Sequence, residues 1–176
     1  YQMQQVKNWR FNNVFMISQV SSKTDKGYFL RPTFNITRLF PKWKNYSLSG
    51  MYSLEHNSIR KKATDSLSVQ SFSFQTLQFG LKSDDSKPNK WGISYFTRTD
   101  AYPLGKDLIK ADRSQNINLS AELLKSERHQ FRFSSTYRKL EILKQSITGL
   151  KADNSLLGRA EYLVNEGKGL ITGNVL

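Results

Sequence analysis

Apolar and polar residues alternate one by one along most of this chain, and the alternation is sustained over unusually long runs. Side chains of a strand point to opposite faces in turn, so a period of two marks a sheet with one apolar and one polar face. Between residues 28 and 40 one parity carries Tyr28, Leu30, Pro32, Phe34, Ile36, Arg38 and Phe40. The other parity carries Phe29, Arg31, Thr33, Asn35, Thr37 and Leu39. The next run sets Tyr46, Leu48, Gly50, Tyr52 and Leu54 against Ser47, Ser49, Met51, Ser53 and Glu55. Leu77, Phe79 and Leu81, then Trp91, Ile93 and Tyr95, then Ile117, Leu119, Ala121 and Leu123, then Phe131, Phe133 and Tyr137 continue the pattern. Trp9, Phe11, Phe15 and Ile17 suggest a first strand, and residues 156–165 and 169–176 suggest two more. The expected fold is therefore all-β, an antiparallel up-and-down meander.

The pattern predicts about nine strands of roughly 9–12 residues, the length that crosses a bilayer at a tilt. The connections read as alternately short and long. Residues 41–45, 84–90, 125–128 and 165–168 read as tight turns, and residues 21–27, 57–71, 100–112 and 143–154 as long polar loops. That asymmetry matches an outer-membrane barrel, whose turns are short on one side and long on the other. We therefore expect an outer-membrane-type β-barrel or part of one, with a lipid bilayer or lipopolysaccharide as its surroundings. Helical spacing of Tyr137, Leu140, Ile147 and Leu150 also predicts a short helix in residues 140–150.

In that reading Tyr28, Tyr46, Trp91, Phe131 and Tyr137 form the interfacial aromatics on the lipid side. Arg31, Lys82, Arg98, Arg132 and Arg138, with Glu55 and Glu122, line a polar lumen that favours anions. The function would be structural or transport-related, a membrane wall within an envelope assembly. The alternative is a soluble sheet protein of the envelope that binds an anionic glycan or a protein partner through its basic face.

Composition serves mainly to exclude. The chain has 176 residues and no cysteine, so disulfides, thiolate metal sites and cysteine nucleophiles are ruled out. Its two histidines, His56 and His129, have no second ligand at metal spacing. There is no G-x-S-x-G, P-loop or G-x-G-x-x-G motif, so we expect no enzyme, no cofactor and no metal. Asp84 and Asp85 read as turn chemistry. A net charge of +13 favours polyanions, with Arg60, Lys61 and Lys62 as the tightest cluster. No nucleic-acid-binding motif accompanies it, and nucleic acid is the third reading.

Leu156-Leu157-Gly158-Arg159-Ala160-Glu161-Tyr162, with Gly167, Gly169 and Gly173-Asn174-Val175-Leu176, resembles a segment of large envelope β proteins of the Bacteroidota. Phe96-Thr97-Arg98-Thr99-Asp100-Ala101-Tyr102-Pro103 resembles the same group. Length bounds one domain, so residues 1–176 read as a single β-meander domain; the resemblance implies a cell-envelope location and a longer chain, with other envelope proteins or the rest of that chain as partners.

Overall fold

The computed structural model describes residues 2–126, 129–143, 152–165 and 170–175. Ten strands follow one another in a single antiparallel sheet, each paired with its neighbours in sequence. They are β1 (Gln2–Val6), β2 (Trp9–Ser21), β3 (Asp25–Phe40), β4 (Tyr46–Lys61), β5 (Phe72–Lys82), β6 (Lys90–Leu104), β7 (Asp107–Ser126), β8 (His129–Ile142), β9 (Ala152–Asn165) and β10 (Leu170–Val175). The expected meander is therefore observed, with long strands β2 to β9 between a short one at each edge.

The expected barrel is not. The strand order runs from β1 to β10 without returning to β1, so among the described residues the sheet is open at both edges. Open backbone edges have no water to bond to inside a bilayer, and only closed barrels or helices satisfy every peptide group there. The outer-membrane placement and the bilayer or lipopolysaccharide partnership fall with the barrel. No helix among the described residues is long and apolar enough to cross a membrane.

The expected alternation of short and long loops fails too, and for a local reason. Strand ends that do not alternate remain paired. Ser21 still opposes Lys26 across β2 and β3, leaving residues 22–24 as the connection. Leu104 still opposes Asp107, so β6 and β7 meet through Gly105 and Lys106, with Gly105 at a φ of +65°. That left-handed backbone suits a glycine in a tight turn. β8 runs through Leu140 to Ile142, which places the start of the expected helix in a strand; residues 144–151 lie outside the described residues.

The longer connection of residues 62–71 turns back beside the end of β4, where Leu67 bridges Arg60, and buries Leu67 and Ser71. Ser71 Oγ accepts from Ile59 N and donates to Ile59 O, both at 3.0 Å. Leu67 N donates to Gly105 O at 2.9 Å, which ties this loop to the β6–β7 turn.

The pairing register carries the parity of the sequence across the whole sheet. Phe34 faces Asn13 and Tyr52, Tyr52 faces Leu77, and Phe79 faces Gly50 and Tyr95, so the apolar parities share one face. Most of that face is uncovered among the described residues: Phe34 is 50% exposed and Phe79 49%, while Pro32 and Ala101 on it are buried. Tyr28, Tyr46, Trp91, Phe131 and Tyr137 all stand on this apolar face. Tyr46 packs edge-on against Trp91 with centroids 5.4 Å apart, and Tyr28 Oη lies 3.3 Å from His56 Nε2. Partial burial lowers the His56 pKa.

Pro32 sits inside β3, where a proline cannot donate to a ladder. The β3–β4 pairing is accordingly interrupted at Arg31 and Pro32, and resumes between Thr33 and Ser53. Thr33 Oγ1 and Ser53 Oγ lie 3.1 Å apart beside the gap.

Candidate polar-face site

All of Arg31, Lys82, Arg98, Arg132, Arg138, Glu55 and Glu122 stand on the opposite, polar face. The structure distributes them over two regions. Near the β6–β7 turn, Arg31 pairs with Glu55 at 2.8 Å, across the gap that Pro32 leaves. Arg98 grips Asp100 with two bonds, at 2.6 and 3.2 Å, and lies over the Phe74 ring at 4.4 Å. The bond to Asp100 outweighs partial burial and raises the Arg98 pKa, so the guanidinium is a permanent charge. Asp112 stands directly opposite Asp100, and its Oδ1 is buried without a partner. Burial first, and the Asp100 charge second, raise the Asp112 pKa.

At the other end of the face two cross-strand rows build a trough. The first runs Lys90, Glu122, Arg132, Glu161 across β6 to β9, with charges alternating in sign. Arg132 Nε lies 3.7 Å from Glu122, whose other oxygen accepts from Gln130 at 2.6 Å. The second row runs Lys82, Gly92, Ser120, Ser134, Arg159 across β5 to β9. Lys82 pairs with Asp85, and Arg159 with Glu161.

The two rows differ in height, and the difference makes the cavity. Gly92, Ser120 and Ser134 form a floor of small residues between long charged side chains. A Cβ on Gly92 would come within 3.3 Å of Ser120 Oγ, so the floor has little room for a larger residue there. The resulting hollow is about 400 Å³. Beyond it a further row of hydroxyls and amides is already bonded: Asn118 Nδ2 donates to Ser94 Oγ at 3.3 Å and Thr136 Oγ1 donates to Asn118 Oδ1 at 2.9 Å.

The turn before β6 is set by Asp84. It accepts from Ser86 N and Asn45 Nδ2, both at 3.0 Å, and these bonds lower its pKa. This is the turn chemistry read from the sequence, and it holds Lys82 and Lys90 on the two strands that leave it.

Sequence reasoning named Lys82, Arg132 and Glu122 of this trough but missed Lys90, Arg159 and Glu161 and the small-residue floor. Arg159 and Glu161 share a parity with one another, and that signal alone could have placed them on the polar face. Arg138 stands one row beyond the hydroxyl row, exposed, with no ion-pair partner among the described residues. No group of three or more metal-ligating side chains gathers among the described residues.

No protein-family model matches the chain, and comparison with curated proteins and with solved structures finds no match. The resemblance to Bacteroidota envelope proteins therefore finds no support, and the open sheet separately removes the barrel expected from strand length and loop asymmetry.

Proposed function

We propose that this chain is a non-enzymatic β-sheet binding module whose basic polar face holds an anionic glycan. The observation that carries the reading is the row Lys82, Gly92, Ser120, Ser134, Arg159. It sets a low floor of small residues between two cations four strand intervals apart, a span of about 19 Å. A flat, hydroxyl-bearing chain fits such a floor, and its carboxylates or sulfates meet Lys82 and Arg159 at the ends.

The ion pairs orient the cations without removing them from solvent. The Arg159 side chain is 58% exposed and the Lys82 side chain 57%. An arriving anion can bond the free N–H groups of a guanidinium while the glutamate keeps the others, because arginine has five donors in a fixed fork. Ser120 and Ser134 donate to or accept from sugar hydroxyls. The net charge of +13 adds long-range attraction, which salt screens.

Calorimetric titration with a uronic-acid oligosaccharide and with a neutral glucan oligosaccharide tests this. The acidic sugar should bind and the neutral one should not. Lys82→Gln with Arg159→Gln should weaken binding by about tenfold or more, equivalent to about 1.4 kcal/mol. Lys62→Gln, in the loop after β4, should leave binding nearly unchanged at moderate salt. Equal binding of the two sugars, or equal effects of the trough and loop substitutions, would overturn the reading in favour of diffuse charge attraction.

A further inference from the structure

Two cations stand opposite each other where β3 runs beside the end of β4. Lys26 and Arg60 are direct cross-strand partners, and the next pair on the same face is Tyr28 and Ser58. Opposed side chains of such a pair have Cβ atoms about 5 Å apart, and like charges there destabilise a sheet. No neighbouring carboxylate relieves the pair. Lys26 has no ion-pair partner among the described residues, and the Asp65 carboxylate comes only within 3.9 Å of Arg60. Asp25 has the opposite parity, so it stands beside Lys61 on the polar face, where its carboxylate accepts from Thr24 Oγ1 at 2.7 Å.

The two cations border a hollow of about 340 Å³ on the apolar face, with Ile17, Tyr28 and Ser58 among its lining residues. That volume lies at the small end of the range for ligand clefts. Ser58 forms the floor: it is 9% exposed, and its hydroxyl has no hydrogen-bond partner among the described residues. Hydroxyls set this deeply are normally bonded. Tyr28 stands across from it, and the contact of its Oη with His56 Nε2 at 3.3 Å fixes the ring as one wall.

The Arg60 guanidinium is held in place from outside the hollow. Nη1 donates to Asp65 O at 3.1 Å and Nη2 donates to Lys106 O at 3.3 Å. These bonds use two of the five donors of an arginine and leave three for a ligand, and the Lys26 ammonium adds three more. The hollow thus sets two positive charges and an unpartnered hydroxyl beside an apolar wall.

We infer that this hollow binds a phosphomonoester carried on a flat apolar group. The dianion bridges Lys26 and Arg60 and accepts from Ser58 Oγ, while the apolar group lies against Ile17 and Tyr28. Bonds from ammonium and guanidinium groups to phosphate oxygens belong to the strong, charge-assisted class. A bound dianion also cancels the repulsion between the two cations. The inference goes beyond the glycan reading and shares no residue with the trough, which lies on the other face of the sheet.

Calorimetric titration of the full chain with phenyl phosphate tests it. The parent should bind with a Kd below about 1 mM at moderate salt, and inorganic phosphate should bind about tenfold or more weakly. Lys26→Gln and Ser58→Ala should each weaken phenyl phosphate binding by about fivefold or more. Lys61→Gln removes the same charge beside Arg60 but on the opposite face, and should bind within about twofold of the parent. Lys82→Gln with Arg159→Gln should also bind like the parent, which separates this site from the trough. No saturation by about 10 mM, equal binding of inorganic phosphate, or equal losses in Lys26→Gln and Lys61→Gln would overturn the inference. If Ser58→Ala loses the β-sheet circular dichroism of the parent, the comparison of Lys26→Gln with Lys61→Gln decides, because both lysines are exposed.

Discussion

Asp112→Asn should stabilise the protein at neutral pH and lose that advantage in acid. Asp112 and Asp100 are direct partners across β6 and β7. Opposed side chains in such a pair have Cβ atoms about 5 Å apart. Two full carboxylate charges at about 6 Å repel by about 3 kcal/mol at an effective dielectric near 20. Arg98 cancels most of this, since it binds both oxygens of Asp100. What remains is in the usual range for like charges facing each other on a sheet, about 0.5–1 kcal/mol. Asparagine keeps the shape and adds a donor that can reach Asp100. The raised pKa of Asp112 gives the pH dependence its sign. The folded state holds the proton more tightly than the unfolded chain, so stability falls as pH rises through the window above the unfolded value of about 3.9. The penalty is complete above the folded pKa and absent below the unfolded one. Urea unfolding at pH 7 should therefore show a gain of about 0.5–1 kcal/mol for the variant, and at pH 3 almost none. A loss of stability at pH 7, or an equal gain at both pH values, would refute the reasoning.

Gly27→Ala should be strongly destabilising, because a Cβ there would lie 2.4 Å from Ser58 O and 2.8 Å from the Ile59 Cα, both backbone atoms; thermal unfolding should show a loss of about 1–3 kcal/mol. Glu141→Gln should destabilise at pH 7 and have no effect at pH 3. The hydrogen bond from Lys139 lowers the Glu141 pKa, so its contribution is present above the unfolded value of about 4.3 and lost as pH falls through the folded value, which paired urea titrations would show. Gly92→Leu should fill the trough floor against Ser120 and reduce acidic-oligosaccharide binding by about tenfold or more with circular dichroism unchanged, as calorimetry would detect.

The legible part of the site was the part that depends on parity. Arg31, Arg98 and Arg132 come from three different strands, yet all were assigned to one face from alternation alone. The trough was not legible, because it depends on which residues of different strands stand side by side. Lys90 belongs to it only because the Asp84 turn brings β6 back opposite β5, and because β7 then places Glu122 beside it. Gly92, Ser120 and Ser134 are unremarkable in three separate segments and become a floor only when aligned. Loop lengths misled in the same way. The ends of β2 and β3 are polar on both parities around Ser21 and Lys26, and β6 ends in the unbroken apolar run Ala101-Tyr102-Pro103-Leu104, so alternation is lost at strand ends where backbone pairing continues.

The sequence by itself determined that this chain forms strands, that they are long, and that one face is apolar and the other basic and hydroxylated. Those properties are local: a pleated backbone sends successive side chains to opposite sides whatever its neighbours do. Only the tertiary structure decided the register, the cross-strand rows, the trough and the open edges. Register follows from turn length and backbone pairing, and backbone groups are the same in every residue but proline. Whether a sheet closes depends on which edges meet, and no alternation of side chains records that.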